Sequence, residues 1–73
     1  MISQVLLSGL ESAEQQRQLE IRLRDMIGVE SVDIDIATQT VTLTYETPAN
    51  LNTLEKEIYD AGYTVINSHK GAY

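Results

Sequence analysis

Two glutamates, Glu11 and Glu14, stand three residues apart just after an apolar run, with Ser12 and Gln15 set between and beyond them. Carboxylates at this spacing fall on one side of a helical turn, and as hard oxygen donors they suit Mg, Ca or Mn. The chain's one imidazole, His69, is the only nitrogen ligand on offer to them. Two carboxylates in one turn are few ligands, and the remainder would have to come from water or a partner. A second acidic pair, Asp33 and Asp35, lies two apart on a strand pattern, so both project from the same face as a solvated negative patch. Nucleophilic catalysis needs a base within reach of the nucleophile, and one histidine near the C-terminus supplies none. General acid–base work needs a poised pair in a cleft. The expectation is a protein that is not an enzyme.

Ser12-Ala13-Glu14-Gln15 also has the S-x-x-Q form of a capping box. In that arrangement the Ser12 hydroxyl accepts from the Gln15 backbone N–H, and the Gln15 amide reaches back to Ser12. Two otherwise unpaired donors of a first helical turn are then satisfied. Glu11 and Glu14 add negative charge at the positive end of the helix dipole. The same four residues therefore read as a helix start more readily than as a ligand set.

The elements that position this stretch follow from the pattern. The chain has 73 residues, enough for one core but no sizeable enclosed cavity. It contains no cysteine and carries a formal charge of -6. Disulfides and thiolate metal sites are thereby excluded. Five scattered basic residues (Arg17, Arg22, Arg24, Lys56, Lys70) form no stripe for a phosphate backbone, so no nucleic-acid partner is expected. Nothing in these residues resembles a signal peptide or an apolar span of ~20 residues, and the expected setting is cytoplasmic, without membrane insertion. The Met1 start and the lack of a linker fit a free-standing protein.

Residues 2 to 7, ISQVLL, predict a first strand, with Val5 and Leu7 on one face and Ile2, Gln4 and Leu6 on the other. Leu19, Leu23, Met26 and Ile27 recur at the spacing of one helix face, and Gly28 is placed to end that helix. Val32 to Ile36 alternate with period two. After a turn at Ala37 to Gln39, Thr40, Thr42 and Thr44 alternate with Val41, Leu43 and Tyr45. Asn50 predicts an N-cap for a second helix with Leu51, Leu54, Ile58 and Ala61 inward, ending at Gly62. Tyr63 to Asn67 give a last strand. Residues 1 to 67 are thus expected to form one domain and 68 to 73 a flexible polar tail. Strands with one apolar face each, in the order βαββαβ, predict an α+β, ferredoxin-like sandwich: an antiparallel sheet ordered 4-1-3-2 with both helices on one face.

Three segments then narrow the family. Ser8-Gly9-Leu10, Met26-Ile27-Gly28-Val29-Glu30-Ser31-Val32 and Asp60-Ala61-Gly62-Tyr63 together resemble the heavy-metal-associated domain, from about Val5 to Val65. This is the family of small copper chaperones and of N-terminal modules of metal-transporting P-type ATPases. The resemblance implies that the family's GMxCxxC loop begins at Gly9, with its methionine position at Leu10 and its cysteine positions at Ser12 and Gln15. It implies that Tyr63 is the aromatic residue that shields the metal in relatives. It also implies docking through helix one and the adjacent loop, on a partner such as a metal-transporting P-type ATPase. Soft ions need soft donors, and neither Ser12 nor Gln15 replaces a thiolate, so no Cu or Zn cofactor is expected.

Two surfaces are then available for partners. On the uncovered sheet face Ile2, Leu6 and Ile66 are expected near one another, a patch suited to a homodimer. On helix one, Ile21 lies off the core stripe beside Arg17, Arg22 and Arg24, a mixed surface suited to an acidic partner. Three functions follow: an interaction or regulatory module lacking its thiolate site; a metal-binding, metallochaperone-like protein using Glu11 and Glu14 or a partner's ligands; and a dimerising domain that senses a small molecule on its open sheet.

Overall fold

The computed structural model describes residues 1–70. Six elements follow in the order β1 (Ile2–Ser8), α1 (Ala13–Arg24), β2 (Val29–Asp35), β3 (Thr40–Tyr45), α2 (Leu51–Asp60) and β4 (Thr64–Lys70). All neighbouring strands are antiparallel, in the sheet order β2-β3-β1-β4. This is the predicted ferredoxin-like sandwich. No helix among the described residues is long and apolar enough to cross a membrane.

The alternation in β1 and β3 decides which face is covered. Val5 and Leu7 of β1, with Val41, Leu43 and Tyr45 of β3, are buried against Leu19 and Leu23 of α1 and Leu54 and Ile58 of α2. The side chains between them face outward. One polar pair sits inside this core: the hydroxyls of Ser3 and Tyr45, both fully buried, bond each other at 2.7 Å. Pairing satisfies two groups that would each cost free energy if buried alone.

Both helices start as their sequences predict. Asn50 caps α2, accepting from the Thr53 N–H at 3.0 Å. The far end of α2 closes as a Schellman turn. Gly62 N–H donates to Tyr59 C=O at 3.0 Å, and Tyr63 N–H donates to Ile58 C=O at 3.3 Å. That closure needs a left-handed residue between helix and strand, which Gly62 supplies with φ +105. It also fixes the direction in which Tyr63 leaves the helix.

Three boundaries lie about three residues from the sequence reading. Helix α1 stops at Arg24 with Asp25 as its C-cap, so Gly28 ends a following turn rather than the helix. Past that cap the helical period no longer applies. Met26 still packs on the core, but Ile27, expected on the buried stripe, is 80% exposed. Strand β2 begins at Val29, three residues early, because a register shift between Val29 and Ser31 hides its alternation. Strand β4 runs on to Lys70, pairing Ser68 with Val5 and His69 with Gln4. Residues 68 to 70 of the expected tail are therefore ladder, held by backbone bonds that their polar side chains do not announce. The last three residues of that tail, 71 to 73, lie outside the described residues.

Candidate functional site

Strand β1 delivers the chain to Gly9 at the rim of the sandwich, where φ is +101. Leu10 then turns inward and is only 2% exposed. It plugs the core beneath the loop. Its backbone is clamped from the β2–β3 turn by one side chain, Gln39. The Gln39 Oε1 accepts from Leu10 N–H at 3.1 Å, while its Nε2 donates to Leu10 C=O at 2.6 Å and to Ile36 C=O at 2.7 Å. The Gln39 carbonyl in turn accepts from Leu7 N–H at 2.9 Å. Gln39 makes these bonds from a left-handed backbone, φ +53. Nothing in the local sequence marks it; the only hint is a turn without glycine, which obliges another residue to take positive φ.

Ser12 starts α1 as the capping box predicts. Its Oγ accepts from Gln15 N–H at 3.1 Å, and the Gln15 Oε1 accepts from Ser12 N–H at 3.2 Å. The same amide oxygen also accepts from Glu11 N–H at 2.7 Å, an extra bond that binds the loop to the helix. Gln16 adds another tie, donating to Ile34 C=O at 2.6 Å. We expect Ser12→Ala to lower stability by ~1 kcal/mol, seen in thermal unfolding as a drop of about 4–8 °C in Tm. An unchanged Tm would mean that some other residue starts the helix.

The expected ligands do not converge. Glu11 and Glu14 are both exposed. His69 lies on β4 opposite Gln4, five residues along β1 from Gly9, roughly 16 Å away at ~3.3 Å per residue. Its ring instead lies 3.4 Å from the Asn67 amide. Among the described residues no group of three or more His, Cys, Asp or Glu is placed to hold a metal ion. Tyr63, by contrast, stands close to the loop. A Cβ added at Gly9 would stand 3.6 Å from the Tyr63 Cδ1, so the ring lies against the loop.

The outer surface of α1 carries Arg17 and Ile21, both exposed, the latter by 62%. Its other cations are engaged: Arg24 bonds Glu20 at 3.2 Å, and Arg22 pairs with Glu57 of α2. The basic character expected for an acidic partner is thereby reduced to Arg17. On the open sheet face Leu6 and Ile66 are both exposed, beside the irregularity where Leu6 pairs with Asn67 and Leu7 with Val65. Ile2 stands apart from them, opposite Thr44, with Gln4 between it and Leu6. The middle of that face is a shallow polar hollow lined by Gln4, Asp33, Asp35, Thr38, Thr40 and Thr42, in place of the single apolar patch expected.

The buried Leu10 and the Tyr63 ring beside Gly9 thus hold the loop between β1 and α1 from two sides. The heavy-metal-associated domain model matches residues 5–64. The chain belongs to the heavy-metal-associated domain family. Among solved structures it is similar to the CsoZ metallochaperone, at 49% identity and a TM-score of 0.86, covering 92% of this chain and 100% of that one. It is also similar to the CopZ metallochaperone at 21% identity and a TM-score of 0.87, over 90% and 100% of the two chains. The N-terminal domain of PacS from Synechocystis PCC6803 is 23% identical with a TM-score of 0.81, over 96% and 98%. The last two likenesses are of fold alone. No curated protein matches the chain.

The family's soft cargo does not fit the donors present. The two positions for thiolates hold a hydroxyl and an amide, and both are committed to backbone bonds at the helix start. A serine hydroxyl stays protonated at neutral pH, and a carboxamide oxygen is a hard donor; neither suits Cu(I).

Proposed function

We propose that this heavy-metal-associated domain works by docking to a protein partner, as an interaction or regulatory module, and carries no soft metal on its own atoms. The observation that carries this reading is the capping box, which occupies both cysteine positions of the family loop with side chains bonded to backbone. What remains for recognition is shape: the Gly9–Ser12 loop with Tyr63 beside it, and the α1 surface around Arg17 and Ile21. The partner class is a metal-transporting P-type ATPase, through the small domains of this same family, and the setting is cytoplasmic.

The 49% identity to the CsoZ metallochaperone favours a second reading, in which the chain takes part in metal traffic with a partner supplying the missing ligands. The two readings separate in one experiment. Titrating an N-terminal domain of a metal-transporting P-type ATPase into the 15N-labelled chain, without metal, is expected to shift Gly9–Ser12, Arg17 and Ile21. Ile21→Glu is expected to weaken that binding by about tenfold, the ~1.4 kcal/mol of one buried apolar contact. Binding that appears only when Cu(I) is present would favour the second reading; no shift under either condition would overturn both.

A further inference from the structure

The stretch from Gly9 to Glu11 joins β1 to the cap of α1, and among the described residues its backbone makes no bond to another backbone group. Its backbone hydrogen bonds end on two glutamine side chains instead. Glu11 N–H donates to the Gln15 Oε1, a contact within the helix start. Leu10 N–H and C=O both end on Gln39, 29 residues away, at 3.1 and 2.6 Å. Gln15 thus ties the loop to its own helix, and Gln39 ties it to the sheet. A third bond fixes the way the Gln39 amide faces. Its Nε2 also donates to Ile36 C=O at 2.7 Å, so turning the amide over would set its oxygen against two carbonyls. The buried Leu10 side chain anchors its own Cα but does not set the peptide planes on either side. Gly9, at φ +101, leaves the first of those planes free to turn. The Gln39 amide bonds to both.

We propose that Gln39 is the positioning residue of this loop, its amide holding the peptide planes before and after Leu10 in the arrangement that a partner meets. The inference rests on the docking reading above. A loop already in its bound shape avoids the ordering cost that association otherwise carries. A loop held by the Leu10 side chain alone populates other peptide orientations, and apparent affinity falls with the fraction that stays competent. The backbone of Gln39 supports the same assignment. It is left-handed, φ +53, a conformation that glycine adopts without steric cost and an L side chain does not. Glycine would make this turn at least as well, and its carbonyl would still accept the Leu7 N–H. What glycine lacks is a side chain to reach Leu10. The glutamine therefore suits the loop better than it suits the turn.

Gln39→Gly separates the two roles. It relieves the left-handed backbone while removing the clamp, so Tm is expected to stay within a few degrees of the wild type. The Leu10 amide is expected to exchange with solvent about tenfold faster or more, by local opening alone. Binding of a P-type ATPase N-terminal domain, read by the same amide titration, is expected to weaken by about tenfold. Gln39→Glu keeps an acceptor for Leu10 N–H but sets a carboxylate against two carbonyls, and is expected to loosen Leu10 likewise. Leu10 exchange that stays at the wild-type rate in either variant would overturn the proposal. So would a loosened loop that binds the domain like the wild type. A Gln39→Gly chain whose core amides, such as Leu43, exchange faster in step with Leu10 would assign Gln39 to the fold and overturn it too. Should the wild-type chain not bind the domain, the docking reading falls, and Leu10 exchange still decides whether Gln39 positions the loop.

Discussion

Replacing Ser12 and Gln15 together by cysteine should convert the chain into a Cu(I) binder at least about 1,000-fold tighter than the wild type, or ~4 kcal/mol in binding free energy. The backbone of the loop is already held in place. Leu10 plugs the core beneath it, Gln39 holds the Leu10 backbone from both sides, and Tyr63 lies against Gly9. Residues 12 and 15 are three apart at the start of a helix, on one side of its first turn. Two thiolates placed there provide the soft donors that Cu(I) selects. The exchange removes both halves of the capping box, so the metal-free variant should lose ~1 kcal/mol of stability. Competition against a chromophoric Cu(I) chelator reads the gain. A double variant that binds no better than the wild type would show that the loop has lost its shape as well as its sulfur.

The largest loss of stability should come from Gly28→Ala. A Cβ at that position would stand 2.4 Å from the Glu46 carbonyl oxygen and 2.8 Å from the Ala49 N. Both are backbone atoms and cannot rotate away. They are also fixed by their own bonds, Glu46 N–H to Gly28 C=O at 2.8 Å and Ala49 N–H to Glu46 C=O at 2.9 Å. The backbone at Gly28 has φ +98, a conformation that costs an L side chain ~1–2 kcal/mol before any clash. Together these predict a loss of about 3 kcal/mol or more, hence a fall in Tm of roughly 12–24 °C for a domain of this size. Thermal unfolding by circular dichroism measures it. A shift of only a few degrees would mean that the Met26–Gly28 turn moves freely against the start of α2.

What the sequence made legible were the features decided locally. Strand alternation in β1 and β3, the two N-caps at Ser12 and Asn50, and the helix-ending Gly62 each depend on neighbours within a few residues. They were enough to set the order of elements and, through handedness, the sheet. The S-x-x-Q signature at the loop likewise foretold both bonds between Ser12 and Gln15. The features that escaped are decided at long range. Gln39 is separated from Leu10 by the whole of α1 and β2, and its clamp exists only once the β2–β3 turn is folded against the loop. Ile27 keeps the helical spacing of Leu23, but the chain has already left the helix to bring Gly28 against Glu46. The polar end of β4 is strand because β1 offers it a ladder, not because Ser68 and His69 favour one. Placing His69 on that strand is what removes it from the neighbourhood of Glu11 and Glu14.

Ser12 and Gln15 hold a helix end and leave no soft donor for an ion. Titration of the unmodified chain with Cu(I), Zn(II), Mn(II) and Ca(II), with amide spectra followed at Gly9 to Gln15, measures this. Binding no tighter than about millimolar, ~−4 kcal/mol, is the predicted result for all four. Micromolar binding that perturbs those amides and disappears on substituting Glu11 or Glu14 would contradict it.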